Sequence, residues 1–241
     1  FNSEITAATV DETASSDPRA ISYSQVTFTP SEKECAVGIT RKEMMRSIQD
    51  IVEEKTRDMG YALAKLKDEL ILSELQSSAG RTVTADGVDE SSLASSNTLD
   101  SSDLANARNT MRIQDREPKY AIVHPACMAT LEKDSNFVDA SVYGGREVVM
   151  NGEVGKYLGM KVLNTTLVPA NSTVSTAYDN FVLGDRAFGI AMKMPVTVDS
   201  DYKVQKREYI FVAVEDYDVK ALNTDAIVRL AAHRDGDLSY S

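Results

Sequence analysis

Apolar and polar positions alternate in two distinct rhythms along this chain, and the changes between them mark its elements. In residues 21–40, ISYSQVTFTPSEKECAVGIT, the apolar positions Tyr23, Val26 and Phe28, then Val37 and Ile39, fall around Pro30-Ser31. That period predicts two strands or one long bent strand. The rhythm then lengthens. Thr40-Arg41-Lys42-Glu43 reads as a capping box that starts a helix. Met44, Ile48, Ile51, Met59, Leu63, Leu66 and Leu70 follow at helical spacing, with charge between them. The pattern predicts a helix over residues 41–76, roughly 50 Å long at 1.5 Å per residue, weakened but not broken at Gly60. Such a stripe is a core face before it is a cofactor box.

Serine, aspartate and threonine then dominate residues 77–102, which predicts a solvated loop unable to build a core. A capped helix of about three turns in DLANARNTMR, a buried strand at YAIV (residues 120–123) and a helix over residues 125–133 with Pro125 in its first turn form a small α/β unit. It continues through GEVGKYLGMKVLN, residues 152–164, and FVLGD, residues 181–185. The tail, MPVTVDSDYKVQKREYIFVAVEDYDVKAL, has apolar residues on both faces near Tyr209 and Val214. It predicts long strands covered on at least one side, most simply by the long helix.

Composition narrows the function classes. The 241 residues, 42% of them hydrophobic, suffice for one large domain or two smaller ones. A formal charge of −11, from 37 acids and 26 bases, opposes a surface that grips nucleic acid by neutralising phosphates. Cys35 and Cys127 stand far apart and outside any CxxC arrangement, so neither a disulfide framework nor a thiolate zinc site is indicated. No apolar run has membrane-spanning length.

Candidate chemistry is sparse. The three glycines and the lysine of residues 152–164 invite a phosphate-binding reading. A P-loop, however, needs glycine where Met150 stands and Ser or Thr where Tyr157 stands, and the Gly152, Gly155, Gly159 spacing does not fit GxGxxG. The stretch reads instead as a glycine-punctuated turn feeding a short buried strand. His124 and Cys127 supply two possible metal ligands, with His233 the only other histidine, short of the three or four that zinc sites use. Lacking a nucleophile elbow, His124 reads as a helix-start residue. Glu215, Asp216 and Asp218 could pair for acid–base work, but read as a wet strand edge. Lys203, Lys206 and Arg207 are the only short basic group, too small for a nucleic-acid patch. No catalytic, cofactor-binding or metal residue is assigned.

The order of elements resembles the major capsid proteins of tailed bacterial and archaeal viruses, the Hong Kong 97-type fold. VTFTPSEKECAVGITRKEMMRSIQDI is similar to the passage from that family's extended loop into its spine helix. DSSDLANARNTM with KYAIVHPACMATLEKD resembles its apical helix, strand and helix, and GEVGKYLGMKVLNTTLVP the glycine-rich passage that follows. YKVQKREYIFVAVEDYDVKALNTDAIVRLAA looks like its closing strands. The resemblance implies an α+β Hong Kong 97-like capsid fold with an extended loop, long spine helix, peripheral β-sheet and α/β apical domain. Its implied division is 1–40 extended loop and returning strand, 41–100 spine helix and following loop, 101–195 mainly apical domain, and 196–241 closing peripheral strands.

The resemblance also implies self-assembly as pentamers and hexamers into an icosahedral shell around double-stranded DNA, assembled in host cytoplasm and located in the virion capsid. Implied partners are further copies, portal, scaffold or maturation protease and decoration proteins, with weak non-specific DNA contact and no membrane. Glu4, Asp11, Glu12 and Arg19 become plausible loop contacts with a neighbour, and Phe1 is expected near a maturation cleavage point. Some relatives join subunits by a lysine–asparagine isopeptide bond from this loop, but residues 1–32 contain no lysine, so no covalent chainmail is expected. The alternatives are an encapsulin-type compartment, and an α/β enzyme using His124 with the carboxylates around Glu215.

Overall fold

A computed structural model describes residues 25–46, 50–134 and 153–235. The sequence places Glu4, Asp11, Glu12, Arg19, Ile48 and Gly152 outside these described residues.

Strand β1 (Ser31–Thr40) leads directly into helix α1 (Arg41–Arg46). The predicted capping box is formed there: Glu43 N–H donates to Thr40 Oγ1 at 3.3 Å, and Thr40 N–H donates back to Glu43 Oε2 at 3.2 Å. The single helix expected over residues 41–76 is, however, two. Asp50 has extended backbone and accepts hydrogen bonds from the N–H groups of Val52 and Glu53, starting α2 (Ile51–Ser78) afresh. A side-chain oxygen that satisfies orphan donors favours a new helix start over continuation. At 28 residues α2 is still a rod of roughly 42 Å. Met44, read as part of the apolar stripe, is exposed.

Helix α2 lies on a three-stranded antiparallel sheet formed by β1, β7 (Phe188–Lys203) and β8 (Glu208–Ala221), with β8 central. Met59 and Leu63 pack onto Ala213, flanked by Cys35, Val37 and Phe211. The cover expected over the tail strands is therefore this helix. Of the passage read as one or two strands, the described residues 25–40 form strand β1 alone, residues 25–30 having no regular structure.

Toward its C-terminal end α2 also reaches a second sheet, while Glu74 still accepts from Ala221 N–H at the end of β8. Six strands lie in the order β2 (Arg81–Thr84), β9 (Ile227–His233), β6 (Ala177–Gly184), β3 (Pro118–Val123), β5 (Met160–Asn164), β4 (Glu153–Tyr157). Side-chain alternation divides the strands between two cores. Phe181, Leu183 and Ile227 meet Leu72 and Leu75 of α2 on one face. Val182 and Val228 belong to the other core, with Leu104 and Met111 of α3 (Ser101–Arg112) and Met128 and Leu131 of α4 (Pro125–Leu131).

Two expectations change here, and a third is filled in. The serine-rich residues 77–102 do contribute to the core: β2 pairs in parallel with β9, and Ala85, Leu93 and Leu99 are buried. Single apolar side chains plugged into a neighbouring core suffice where a stripe is missing. The tail strands divide between both sheets, with β7 and β8 in the first and β9 inside the second. The glycine passage forms a hairpin, with Leu158 (φ 49°) and Gly159 (φ 86°) turning β4 into β5. Positive φ at both central residues is the conformation of a type I′ turn, whose twist suits the strands it joins. Gly155 lies within β4, and the expected short buried strand is β5, with Met160 and Val162 fully buried.

Candidate functional site

His124 is where the enzyme alternative has to begin. It follows β3 as the N-cap of α4, and its Nδ1 accepts a hydrogen bond from Ala126 N–H at 3.1 Å. Its ring stacks on Tyr178 at 3.6 Å between centroids, and the backbone N–H of His124 donates to Asn180 Oδ1 at 2.8 Å. Burial lowers its pKa. This is the helix-start role read from the sequence. Cys127, one turn into the helix, is fully buried, and desolvation pushes its thiol up to about 12, far from the reactive thiolate range. His233 Nδ1 lies 2.8 Å from the carbonyl oxygen of Arg234. Among the described residues no group of three His, Cys, Asp or Glu is placed to hold a metal.

The acidic cluster of the tail is not the wet edge expected from sequence. Glu215 is fully buried in the central strand beneath α2, with its Oε2 2.6 Å from Lys67 Nζ. Asp216 faces the other way and pairs with Lys193 at 3.1 Å, while Asp218 Oδ2 accepts from Thr29 N–H at 2.7 Å. Alternation carries the missed signal: Phe211, Ala213, Glu215 and Tyr217 share one face, so Glu215 belongs to the helix-facing row. Its neighbour Tyr217 has the ammonium groups of Lys33 and Lys67 over its ring at 5.1 and 5.0 Å. Instead of joining for catalysis, the three carboxylates fasten three different pieces of structure to β8.

A second set of charges fixes α2 to the six-stranded sheet. Asp179, buried in β6, receives Gln76 at 2.6 Å, Asn171 at 2.8 Å and Arg229 at 3.1 Å, and Arg229 also pairs with Glu90 at 2.9 Å. Every participant is hydrogen-bonded, the condition under which buried charge is tolerated. Polar contacts thus hold the rod at its middle, through Lys67, and near its C-terminal end, through Gln76.

What remains free is surface. Strand β7 is the edge of its sheet and extends beyond the helix cover, leaving Ile190, Met192, Val196 and Val198 exposed. At the far tip Arg41 N–H donates to Arg207 carbonyl oxygen at 3.0 Å, joining α1 to the turn between β7 and β8. This brings Arg41, Lys42 and Arg46 beside Lys206 and Arg207 around an open cleft of about 670 Å³. Of the basic group read from the sequence, Lys206 and Arg207 line this cleft and Lys203 does not, and the other cations lie some 160 positions away, out of reach of a local pattern.

A family model described as phage capsid protein matches residues 28–230. No curated protein sequence matches the chain. Among solved structures, the chain is similar to the capsid of cyanophage P-SCSP1u, at 16% identity and TM-score 0.73, over 96% of this chain and 81% of that one. It is also similar to the capsid of Ralstonia phage GP4, at 13% identity and TM-score 0.72, over 88% of this chain and 76% of that one. The SrpI encapsulin complex of Synechococcus elongatus matches at 13% identity and TM-score 0.64, over 88% of this chain and 77% of that one.

Proposed function

The chain belongs to the phage capsid protein family, and from that premise we propose that it self-assembles as pentamers and hexamers into an icosahedral shell enclosing double-stranded DNA. It is the major capsid protein of that shell, with the Hong Kong 97-like fold, and its role is structural rather than enzymatic. The observation that carries this is the family match across residues 28–230, which spans both sheets and the rod between them.

The geometry suits the task. A helix of 28 residues fixed to two sheets makes a stiff plate. The apolar β7 edge and the cationic tip lie away from its cores, where neighbouring copies can reach them. Many such contacts, each weak, add through multivalency in a closed assembly.

The peripheral domain in this reading is the three-stranded sheet with α1 and α2. The apical domain is the six-stranded sheet with α3 and α4, and it takes β9 from the segment first grouped with the peripheral strands. Portal, scaffold, maturation protease and decoration proteins are the further partners, assembly takes place in the host cytoplasm, and packaged DNA meets the acidic chain only weakly.

Size-exclusion chromatography and negative-stain microscopy of the purified protein test the proposal. Closed particles in the megadalton range are expected, and a compact monomer with a ligand pocket would overturn it. The similarity to an encapsulin makes the contents decisive: nuclease-protected double-stranded DNA supports the viral shell, and a protein cargo in its place supports the cellular compartment.

A further inference from the structure

His124 holds the start of α4 with two acceptors, and only one of them can titrate. Its carbonyl oxygen accepts from Cys127 and Met128 N–H, each at 2.9 Å. Its ring Nδ1 accepts from Ala126 N–H at 3.1 Å. An imidazole nitrogen accepts only through a free lone pair, so this bond fixes the neutral ring with its hydrogen on Nε2. A proton added to Nδ1 sets N–H against N–H. Turning the ring over keeps the parallel stack on Tyr178 but puts carbon where the acceptor was. The ring cannot simply swing away with its backbone, because the His124 N–H is held by Asn180 Oδ1. Either way Ala126, which is fully buried, loses the partner of its N–H.

We propose that His124 is an acid-sensitive latch, whose protonation loosens the first turn of α4 together with the residues after β9 that are tied to it. The tie is direct. Asp235 N–H donates to the Ala126 carbonyl oxygen at 3.1 Å, and the Cys127 thiol lies 3.8 Å from the carbonyl oxygens of Ala232 and His233. Among the described residues, the titratable and charged groups on the elements around the ring are Tyr178 on β6, Cys127 on α4, His233 and Arg234 at the end of β9, and the Lys133–Asp235 pair beyond α4. Tyr120, Lys161, Asp179 and Arg229 fall by alternation on the opposite face of the sheet, and Lys119 pairs with Asp185 at the other end of β3. The Tyr178 face attracts a cation, but burial opposes the charge and the cap opposes it again. The net direction is a pKa below 6.5, with burial as its cause. The unfolded chain therefore takes up this proton first. Stability is whole above 6.5 and is lost as pH falls below it, until the folded protein is protonated as well and the latch opens.

Hydrogen exchange of the full chain, compared with His124→Asn, tests this. Asparagine caps a helix without titrating. Between about pH 7 and about pH 5 the protection factors of the Ala126 and Asp235 amides are expected to fall about tenfold further in the wild type than in the variant. Nitrogen-15 NMR of the labelled wild type reads the ring itself, and with only two histidines in the chain the variant assigns its signal. The Nε2–H tautomer is expected at neutral pH, with Nδ1 gaining a proton only in acid. If His124→Asn does not fold, His124→Ser takes its place, and the wild-type NMR titration needs no variant at all. Protection lost in parallel in wild type and variant would overturn the latch, and so would an Nδ1 already protonated at neutral pH. Both readouts belong to the folded subunit, free or assembled, so neither result depends on the shell.

Discussion

The Lys67 ammonium lies 2.6 Å from the Glu215 carboxylate, joining the middle of the long helix to the central strand beneath it. The Glu215 side chain has no exposure, and that of Lys67 retains 24%. Removing one member of such a pair strands the other, while removing both leaves ordinary packing. Lys67→Met is therefore expected to destabilise the fold by about 3–5 kcal/mol, and Lys67→Met with Glu215→Leu to recover most of that loss. Chemical denaturation of the two variants beside the wild type measures the difference.

Asp103 gives the six-stranded unit a pH dependence of unusual sign. Its buried carboxylate accepts from the backbone N–H groups of Asp86 and Asp100. Burial first, and the neighbouring Asp100 charge second, raise its pKa from 3.8 to about 7. The folded state thus holds this proton more tightly than the unfolded chain does. The resulting stabilisation is complete below 3.8 and is lost as pH rises through about 7. Thermal melts between pH 5 and 8 should show the wild type losing stability relative to Asp103→Asn as pH increases. A constant gap between the two would contradict the assignment.

Gly80 follows α2 and touches the turn before β9. Its N–H donates to Thr224 carbonyl oxygen at 3.1 Å, and a β-carbon added there would lie 2.5 Å from the same oxygen. Backbone has to move on one side or the other. Gly80→Ala is expected to lower stability by about 1–3 kcal/mol, visible as an earlier denaturation midpoint. Gly60→Ala, with open space around the site, should not destabilise.

The start of α2 rests on one side chain. Asp50→Ala removes the acceptor for Val52 and Glu53 N–H and is expected to cost about 1 kcal/mol. Asp50→Ser, which keeps a capping oxygen, should recover most of it. Comparing the three denaturation midpoints separates the cap from helix propensity.

The rhythm of apolar positions disclosed most elements, because helix α2 and the strands bury regular faces. Met59 and Leu63 were legible for that reason. The break at Asp50 was written in the sequence too, as Asp50-Ile51-Val52-Glu53, but a continuing stripe on both sides masked it. Leu93 and Leu99 were missed because each enters the core alone, with no periodicity to mark it. Strand β9 differs from β7 in being buried on both faces, which AIVRLAA announces by its nearly unbroken apolar run. The tip cations were the hardest to see. Arg41 and Arg207 become neighbours only through pairing of β1 with β8, a register that no local window contains.

Covalent linkage between subunits is the last property open to a simple assay. An isopeptide bond from the segment before β1, which the resemblance made worth testing, needs a lysine there, and residues 1–32 have none. The first lysine, Lys33, is already in β1, its ammonium 3.0 Å from the Ser31 carbonyl oxygen and over the Tyr217 ring. Both contacts hold it against its own sheet. Particles dissolved in denaturant are therefore expected to run as monomers on a gel. Where charged non-covalent contacts hold neighbouring copies together, assembly should also weaken as salt rises. Ladders of higher bands that survive denaturant and reductant would show that a lysine elsewhere in the chain reaches a neighbour.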